Sequence, residues 1–359
     1  MKDNILHVVP TLKKDGAENQ LLILLKELCS SFENIDLLTF DLNDNGNSIE
    51  KEIHGLEVNL IYCNKSVLGS FFYLYKLIKN RQYDIVHSHL PKSDILVGMV
   101  SLFIKFEHIV SVHAQYGTRQ NEPKVKYFLL FPIWRICVNR SKVVVAISNK
   151  VKKWLISRGV SNKIEVVLYG IQQKESSHTP PNNNIIGMAA RFLEWKGWDK
   201  LLDVAFDLKK HGVIFQLHLA GPDDEGYKGV LSNISDESGL EDFIVFHNEY
   251  ENIYDFFDQI DIFIFLSESE GFGLVLLEAM AYGLPIVASD IAPINEFVDD
   301  ETGILVNRSD SVEISNQVQR LLNSTELRKE MSRNQINKVN EHLSAAKMAQ
   351  KIKELYYLP

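Results

Sequence analysis

DIFIFLSESEGFGLVLLEAMAYGLPIVAS, residues 261–289, is the stretch whose reading decides the architecture. DIFIFL (261–266) is a short apolar run of strand length, SES turns the chain, and Gly271-Phe272-Gly273 follows. Leu274, Leu277 and Met280 or Ala281 then recur on one helical face, and PIVAS (285–289) is strand-like again. Strand, helix and strand in succession make a βαβ unit of a parallel sheet. The two glycines let the backbone approach a ligand and leave amides at the positive end of a helix beginning near Gly273. That end suits phosphate or the polar oxygens of a sugar. Glu270 precedes the helix and Glu278 lies about one and a half turns inside it. Ionised carboxylates only accept hydrogen bonds, which matches them to vicinal hydroxyl donors. An isolated glutamate pair reads as a cap and a solvated charge; with Gly-Phe-Gly between them the binding reading prevails.

The same alternation runs outward in both directions. Upstream, strand-like runs stand at 5–9, 35–40, 58–62, 84–89, 108–112, 142–147 and 164–168, with helical patterns at 17–29, 70–79, 93–104 and 148–158 between them. Ser148 is a fitting N-cap for the last. LYGIQQKESSHTPPNNN (168–184) is polar, aperiodic and carries two consecutive prolines, as a linker does. Beyond it the pattern restarts, with strands expected at 184–190, 213–221, 243–247, 261–266, 285–289 and 303–306. The expected fold is α/β, with two doubly wound, Rossmann-like parallel-sheet domains facing a central cleft. The first covers 1–168, the linker 169–184 and the second 185–342, with a C-terminal helix at about 343–359 packing back on the first domain.

A chain of 359 residues, 45% hydrophobic and 24% charged, suits two globular domains. Residues 1–170 carry 22 Lys and Arg against 16 Asp and Glu, and the remainder 16 against 31. A second half this acidic is a poor partner for nucleic acid. Three scattered cysteines, Cys29, Cys63 and Cys137, argue against a disulfide framework or a cysteine zinc site. No signal-like opening and no membrane-length apolar run is present, so a cytoplasmic location is expected. The longest apolar candidate, YFLLFPIWRICV (127–138), is interrupted by Pro132 and Arg135.

The Glu270 to Glu278 spacing within EGFGLVLLEAMAYGLP resembles the E-x7-E signature of the group 1, family-4 retaining glycosyltransferases of the GT-B fold. The resemblance implies that Glu270 contacts hydroxyls of the donor sugar and Glu278 holds the nucleotide ribose. Amides of Gly271, Phe272, Gly273 and Leu274 would line the sugar and diphosphate. GMAARFLEWKGWDKLLDVA (187–205) reads independently as strand, turn and amphipathic helix, with Arg191 and Lys196 in the turn. Solvated surface charges are the usual fate of such residues, but a forked and a point-like cation at a strand's carboxyl end suit a diphosphate. The family's G-R-x(4)-KG pattern matches here. The resemblance therefore assigns Arg191 and Lys196 to the departing nucleoside diphosphate. In KKDGAENQLL (13–22), Gly16, Ala17 and Glu18 resemble the family's donor-phosphate loop, with Asp15 in place of a glycine. His113, in SVHAQYG (111–117), resembles the histidine that faces the transferred sugar. LYGIQ (168–172) departs from the Asn-Gly-Ile-Asp turn common in relatives, with Tyr169 and Gln172 in the exchanged positions.

The implied activity is transfer of a sugar from a nucleoside-diphosphate donor to a glycan or lipid-linked acceptor in surface polysaccharide synthesis. No side chain stands out as a nucleophile, so charge on the leaving diphosphate would be met electrostatically. No cofactor and no metal are expected. His87 and His89 in DIVHSHL (84–90) share one face of a strand, but no third ligand is evident in the sequence, and no Asp-x-Asp follows a strand. KVKYFLLFPIWRICVNRSK (124–142) holds five basic and no acidic residues among aromatics and aliphatics. Such a segment suits peripheral contact with an anionic membrane on its inner face, or an ordinary buried helix with snorkelling ends. The rival functions are an epimerase or hydrolase acting on nucleotide sugars, a pyridoxal-dependent phosphorylase, and a non-catalytic nucleotide-sugar binder.

Overall fold

A computed structural model describes residues 4–40, 48–117, 124–172 and 182–358, and over 124–128 the main chain only. The chain divides into two compact units, Met1–Gln172 with Leu343–Pro359, and Gln173–His342.

The first unit is built on seven strands: β1 (Asn4–Val9), β2 (Asn34–Thr39), β3 (Asn59–Tyr62), β4 (Ile85–His89), β5 (Glu107–Val112), β6 (Val143–Ala146) and β7 (Ile164–Val166). They pair in the order β3-β2-β1-β4-β5-β6-β7, all parallel. The second holds β8 (Ile185–Ala189), β9 (Gln216–Ala220), β10 (Ile244–Phe246), β11 (Ile262–Phe265), β12 (Ile286–Ser289) and β13 (Ile304–Val306). Their order is β10-β9-β8-β11-β12-β13, again all parallel. Crossover helices cover both faces of such sheets, which is why β4, β6 and β11 are buried along their whole length and read as continuous apolar runs. In each sheet the strand order reverses once, between β1 and β4 and between β8 and β11. Those reversals are the topological switch points at which ligands bind in doubly wound folds.

Local rules explain the helix ends near these points. Ser148 caps the helix Asn149–Ser157 by accepting from the Val151 amide, and Ser344 caps Ala345–Tyr356 by accepting from Lys347. The last helix packs against the helix Gly16–Leu28 within the first unit. Its main chain is tied on by Ile171 N to Leu343 O at 2.9 Å and Ala345 N to Ile171 O at 2.9 Å. The far end of the linker is also anchored. The Asp261 carboxylate accepts from the amides of Asn182, Asn183 and Ile185 at 2.6–3.0 Å. Residues 173–181 of the expected linker lie outside the described residues.

The apolar stretch at 127–138 belongs to one helix, Lys124–Asn139, that continues through Pro132. Gly98 makes its packing possible, because a Cβ there would meet Cys137 Cβ at 2.4 Å. Trp134 and Val138 face the core, whereas Leu129, Ile133 and Ile136 are exposed, as are Leu102 and Phe103 just beyond the neighbouring helix Pro91–Val100. Among the described residues, no helix is long and apolar enough to cross a membrane.

Candidate functional site

In the second unit, the two segments singled out in the sequence follow the two strands at the switch point. Arg191 and Lys196 stand after β8, and Glu270 through Leu274 after β11. The close approach is set by Gly197, which has φ +83° and whose Cβ would lie 2.1 Å from the Leu266 carbonyl oxygen. Only glycine fits both that conformation and that gap. The segments are also joined by a main-chain bond from Glu268 N to Trp195 O at 2.8 Å.

This joining sets Lys196 Nζ 2.6 Å from Glu270 Oε1, with the two side chains 12% and 9% exposed. Shielding from water strengthens the attraction between the two charges, their desolvation offsets much of that gain, and the loss of either partner would leave the other charge buried alone. Lys196 also lies over the Trp195 ring, 4.3 Å from its centroid. Arg191 is exposed at the turn, and its carbonyl accepts from Trp198 Nε1 at 3.1 Å.

The helix Leu274–Tyr282 starts behind Gly273, whose φ of +94° would strain any other residue. The amides of Leu274 and Val275 are directed toward the open end of the helix, as at every helix start, whereas that of Leu276 donates to the Gly273 carbonyl at 3.0 Å. Phe272 is 4% exposed and stacks on Phe297 at 4.9 Å with the rings 7° apart. Its ring is core, so what Phe272 can offer a ligand is main chain. Glu278 sits within this helix and keeps part of its surface accessible. The surrounding protein nonetheless pushes its carboxyl up to about 7, with burial as the cause. Arg308, two residues beyond β13, was not indicated by any pattern in the sequence. Its Nε donates to the Leu266 carbonyl at 3.2 Å and its Nη1 to Glu268 Oε2 at 3.3 Å, so it braces the loop that carries Glu270.

The remaining candidates belong to the first unit. Gly16 is exposed at the start of the helix Gly16–Leu28. Two residues on, Glu18 is buried and accepts from Thr11 Oγ1 at 2.8 Å; burial raises its carboxyl. His113 follows β5 with both ring nitrogens engaged: Nε2 lies 3.1 Å from His89 Nδ1 and Nδ1 lies 2.6 Å from the Tyr169 hydroxyl. Burial lowers it to about 4, so it is neutral at physiological pH. His89, Ser111, His113 and Tyr169 line one cavity with Gln20. The third histidine that the sequence did not reveal is His7. It is paired in register with His87 on the neighbouring strand, and ring nitrogens of His7, His87 and His89 lie within 4.8 Å of one another.

Comparison with known proteins bears on the family and the fold. Residues 14–174 match the family described as Glycosyltransferase Family 4, and residues 171–338 that described as Glycosyl transferases group 1. The capsular polysaccharide biosynthesis glycosyltransferase CapM of Staphylococcus aureus is 24% identical over 317 residues, 81% of each chain. The putative glycosyltransferase EpsF of Bacillus subtilis is 25% identical over 336 residues, 87% of this chain and 85% of its own. Among solved structures, Anabaena Alr3699/HepE in complex with UDP superposes with a TM-score of 0.83 at 20% identity, covering 98% of both chains. The two parallel-sheet units are thus those of a GT-B fold.

Proposed function

Because the chain belongs to the group 1, family-4 glycosyltransferases, we propose that it transfers a sugar with retention from a nucleoside-diphosphate donor to a glycan or lipid-linked acceptor in polysaccharide synthesis. The observation that carries the reading is the meeting of Lys196 and Glu270 beside the Gly273 helix start. A carboxylate for sugar hydroxyls and a cation for phosphate stand in one place, next to outward-directed amides. Donor binding would let Glu270 turn to hydroxyl donors while Lys196 and Arg191 meet the diphosphate. As the glycosidic bond breaks, these cations and the helix amides hold the charge that grows on the β-phosphate, without a metal. The acceptor hydroxyl then attacks from the face the diphosphate leaves, passing its proton to that phosphate. UDP is the first donor nucleotide to test, because HepE binds it.

A lipid-linked acceptor fits the exposed apolar side chains Leu129, Ile133 and Ile136 with Leu102 and Phe103, in a segment rich in Lys and Arg. Such a face suits peripheral contact with an anionic membrane from the cytoplasmic side.

The deciding experiment is thermal stabilisation by UDP, GDP and ADP and their sugars, in the native chain and in Arg191→Ala and Glu278→Ala. One nucleotide should raise the midpoint and lose that effect in both variants. No stabilisation by any of them would overturn the donor site, and a product of inverted anomeric configuration would overturn retention.

A further inference from the structure

Seven side chains of the first unit form one continuous hydrogen-bonded series. Starting at Tyr169, the hydroxyl meets His113 Nδ1 at 2.6 Å, and His113 Nε2 meets His89 Nδ1 at 3.1 Å. His89 Nε2 meets His7 Nδ1 at 3.1 Å, and His7 Nε2 reaches the Tyr356 hydroxyl at 3.5 Å, the longest link. Tyr356 then meets His87 Nδ1 at 2.8 Å, and His87 Nε2 meets Ser111 Oγ at 2.8 Å. Every ring nitrogen of the four histidines is used once. The series joins β1, β4 and β5 to the linker residue Tyr169 and to Tyr356 on the C-terminal helix.

His7, His87 and His89 are buried and His113 is half-buried, and desolvation holds all four neutral, with His7 lowered to about 3. A neutral imidazole donates from one nitrogen and accepts at the other. If Tyr169 donates to His113, then His113 donates to His89, His89 to His7, His7 to Tyr356, Tyr356 to His87 and His87 to Ser111. Every histidine is then protonated on Nε2. Reversing one bond reverses the others through each His–His contact and, where Tyr356 donates within the series, through Tyr356 as well; every histidine is then protonated on Nδ1. A mixture leaves two N–H groups, or two lone pairs, facing each other at a His–His contact, and at Tyr356 it leaves either the hydroxyl proton or one imidazole lone pair without its partner in the series.

We propose that His7, His87, His89 and His113 form a single two-state relay, sharing one tautomer at any moment, with Tyr169 and Ser111 at its ends as the residues that set its sense. Tyr169 is thus a positioning residue for His113, and Tyr356 couples the C-terminal helix to it. The same bonds argue against reading the three-histidine cluster as a metal centre, since each nitrogen already faces a partner. The proposal stands independently of the transferase reading.

The two ends predict opposite responses. An unpartnered buried N–H is less tolerable than an unpartnered acceptor. Tyr169→Phe therefore leaves His113 Nδ1 as the bare acceptor and drives all four histidines to the Nε2–H form. Ser111→Ala leaves His87 Nε2 bare and drives all four to the Nδ1–H form. Imidazole nitrogen NMR shifts of the full chain, labelled with 15N-histidine and assigned by single His substitutions, read each tautomer directly. We expect one shared tautomer in the native chain and its inversion at all four rings in one of the two variants. Mixed tautomers in the native chain would overturn the relay, as would an inversion confined to the ring beside the substitution, or no inversion in either variant. Nitrogen shifts that move on adding Zn2+, with loss of the neutral-tautomer pattern at His7, His87 and His89, would likewise overturn it.

Discussion

Glu278→Gln should stabilise the second unit, by an amount set by pH. The native carboxyl is raised from 4.5 to about 7 by burial, so the ionised form is disfavoured in the folded chain relative to the unfolded one. A group of this kind supports the fold fully below about 4.5, and that support is lost as pH rises through about 7. A tenfold change in proton affinity corresponds to about 1.4 kcal/mol, so the native residue costs about 3 kcal/mol at pH 8, about 2 at pH 6 and about 1 at pH 5. Glutamine keeps the shape, carries no charge at any of these values and removes the cost. For a unit of this size, 1 kcal/mol moves the midpoint by roughly 2–4 °C, giving a gain of roughly 6–12 °C at pH 8 and roughly 2–4 °C at pH 5. Differential scanning calorimetry of both chains across pH 5 to 8 is the assay, because effects common to the two cancel in the difference. A gain of the same size at every pH would refute the argument, and so would a loss. The variant should bind nucleotide more weakly, because an amide replaces a carboxylate that accepts from hydroxyls.

Lys196→Met removes the ammonium from Glu270 in a site where the pair is 12% and 9% exposed. Breaking a fully buried pair costs 3–5 kcal/mol, and the residual exposure here brings the expectation to about 2–3 kcal/mol. Urea unfolding of this variant, Glu270→Gln and the double variant completes a cycle; additive losses would show that the two do not interact. Acid should unfold the first unit first. Its histidines His7, His87, His89, His108 and the half-buried His113 are all lowered from 6.5 by desolvation, so their support is present above about 6.5 and fades as pH falls. Asp94, pushed up to about 7, and Glu18 oppose this by binding protons in the folded state. Some three more protons on the unfolded chain give a loss of about 4 kcal/mol per pH unit near pH 5.5. A denaturant midpoint for this unit that is unchanged from pH 7 to pH 5 would contradict it.

The strands were readable because both faces of a parallel sheet are covered, which writes each strand as an apolar run. The glycine turn before Leu274 was readable for a similar reason, since only glycine meets its backbone demand. What stayed hidden depends on strand order. Lys196 and Glu270 are 74 residues apart and meet because β8 lies beside β11, a neighbourhood that no local pattern encodes. His7 joins His87 for the same reason, through the pairing of β1 with β4. The absence of a third ligand near DIVHSHL was therefore a limit of local reading. Arg308 acts through a carbonyl contact that leaves no periodicity, and Tyr169 showed itself only as a departure from a family turn.

The helix Ala345–Tyr356 has a consequence for how the chain is made. It is synthesised after every residue of the second unit, yet Tyr356 is a fully buried part of the first. A nascent first unit can form its sheet early, because β1 to β7 are contiguous in the order of translation. Until the final helix arrives, His7 and His87 lack their tyrosine partner and the helix Gly16–Leu28 lacks its neighbour. The first unit begun is thus the last one finished, and a fragment ending at the linker omits part of its own core.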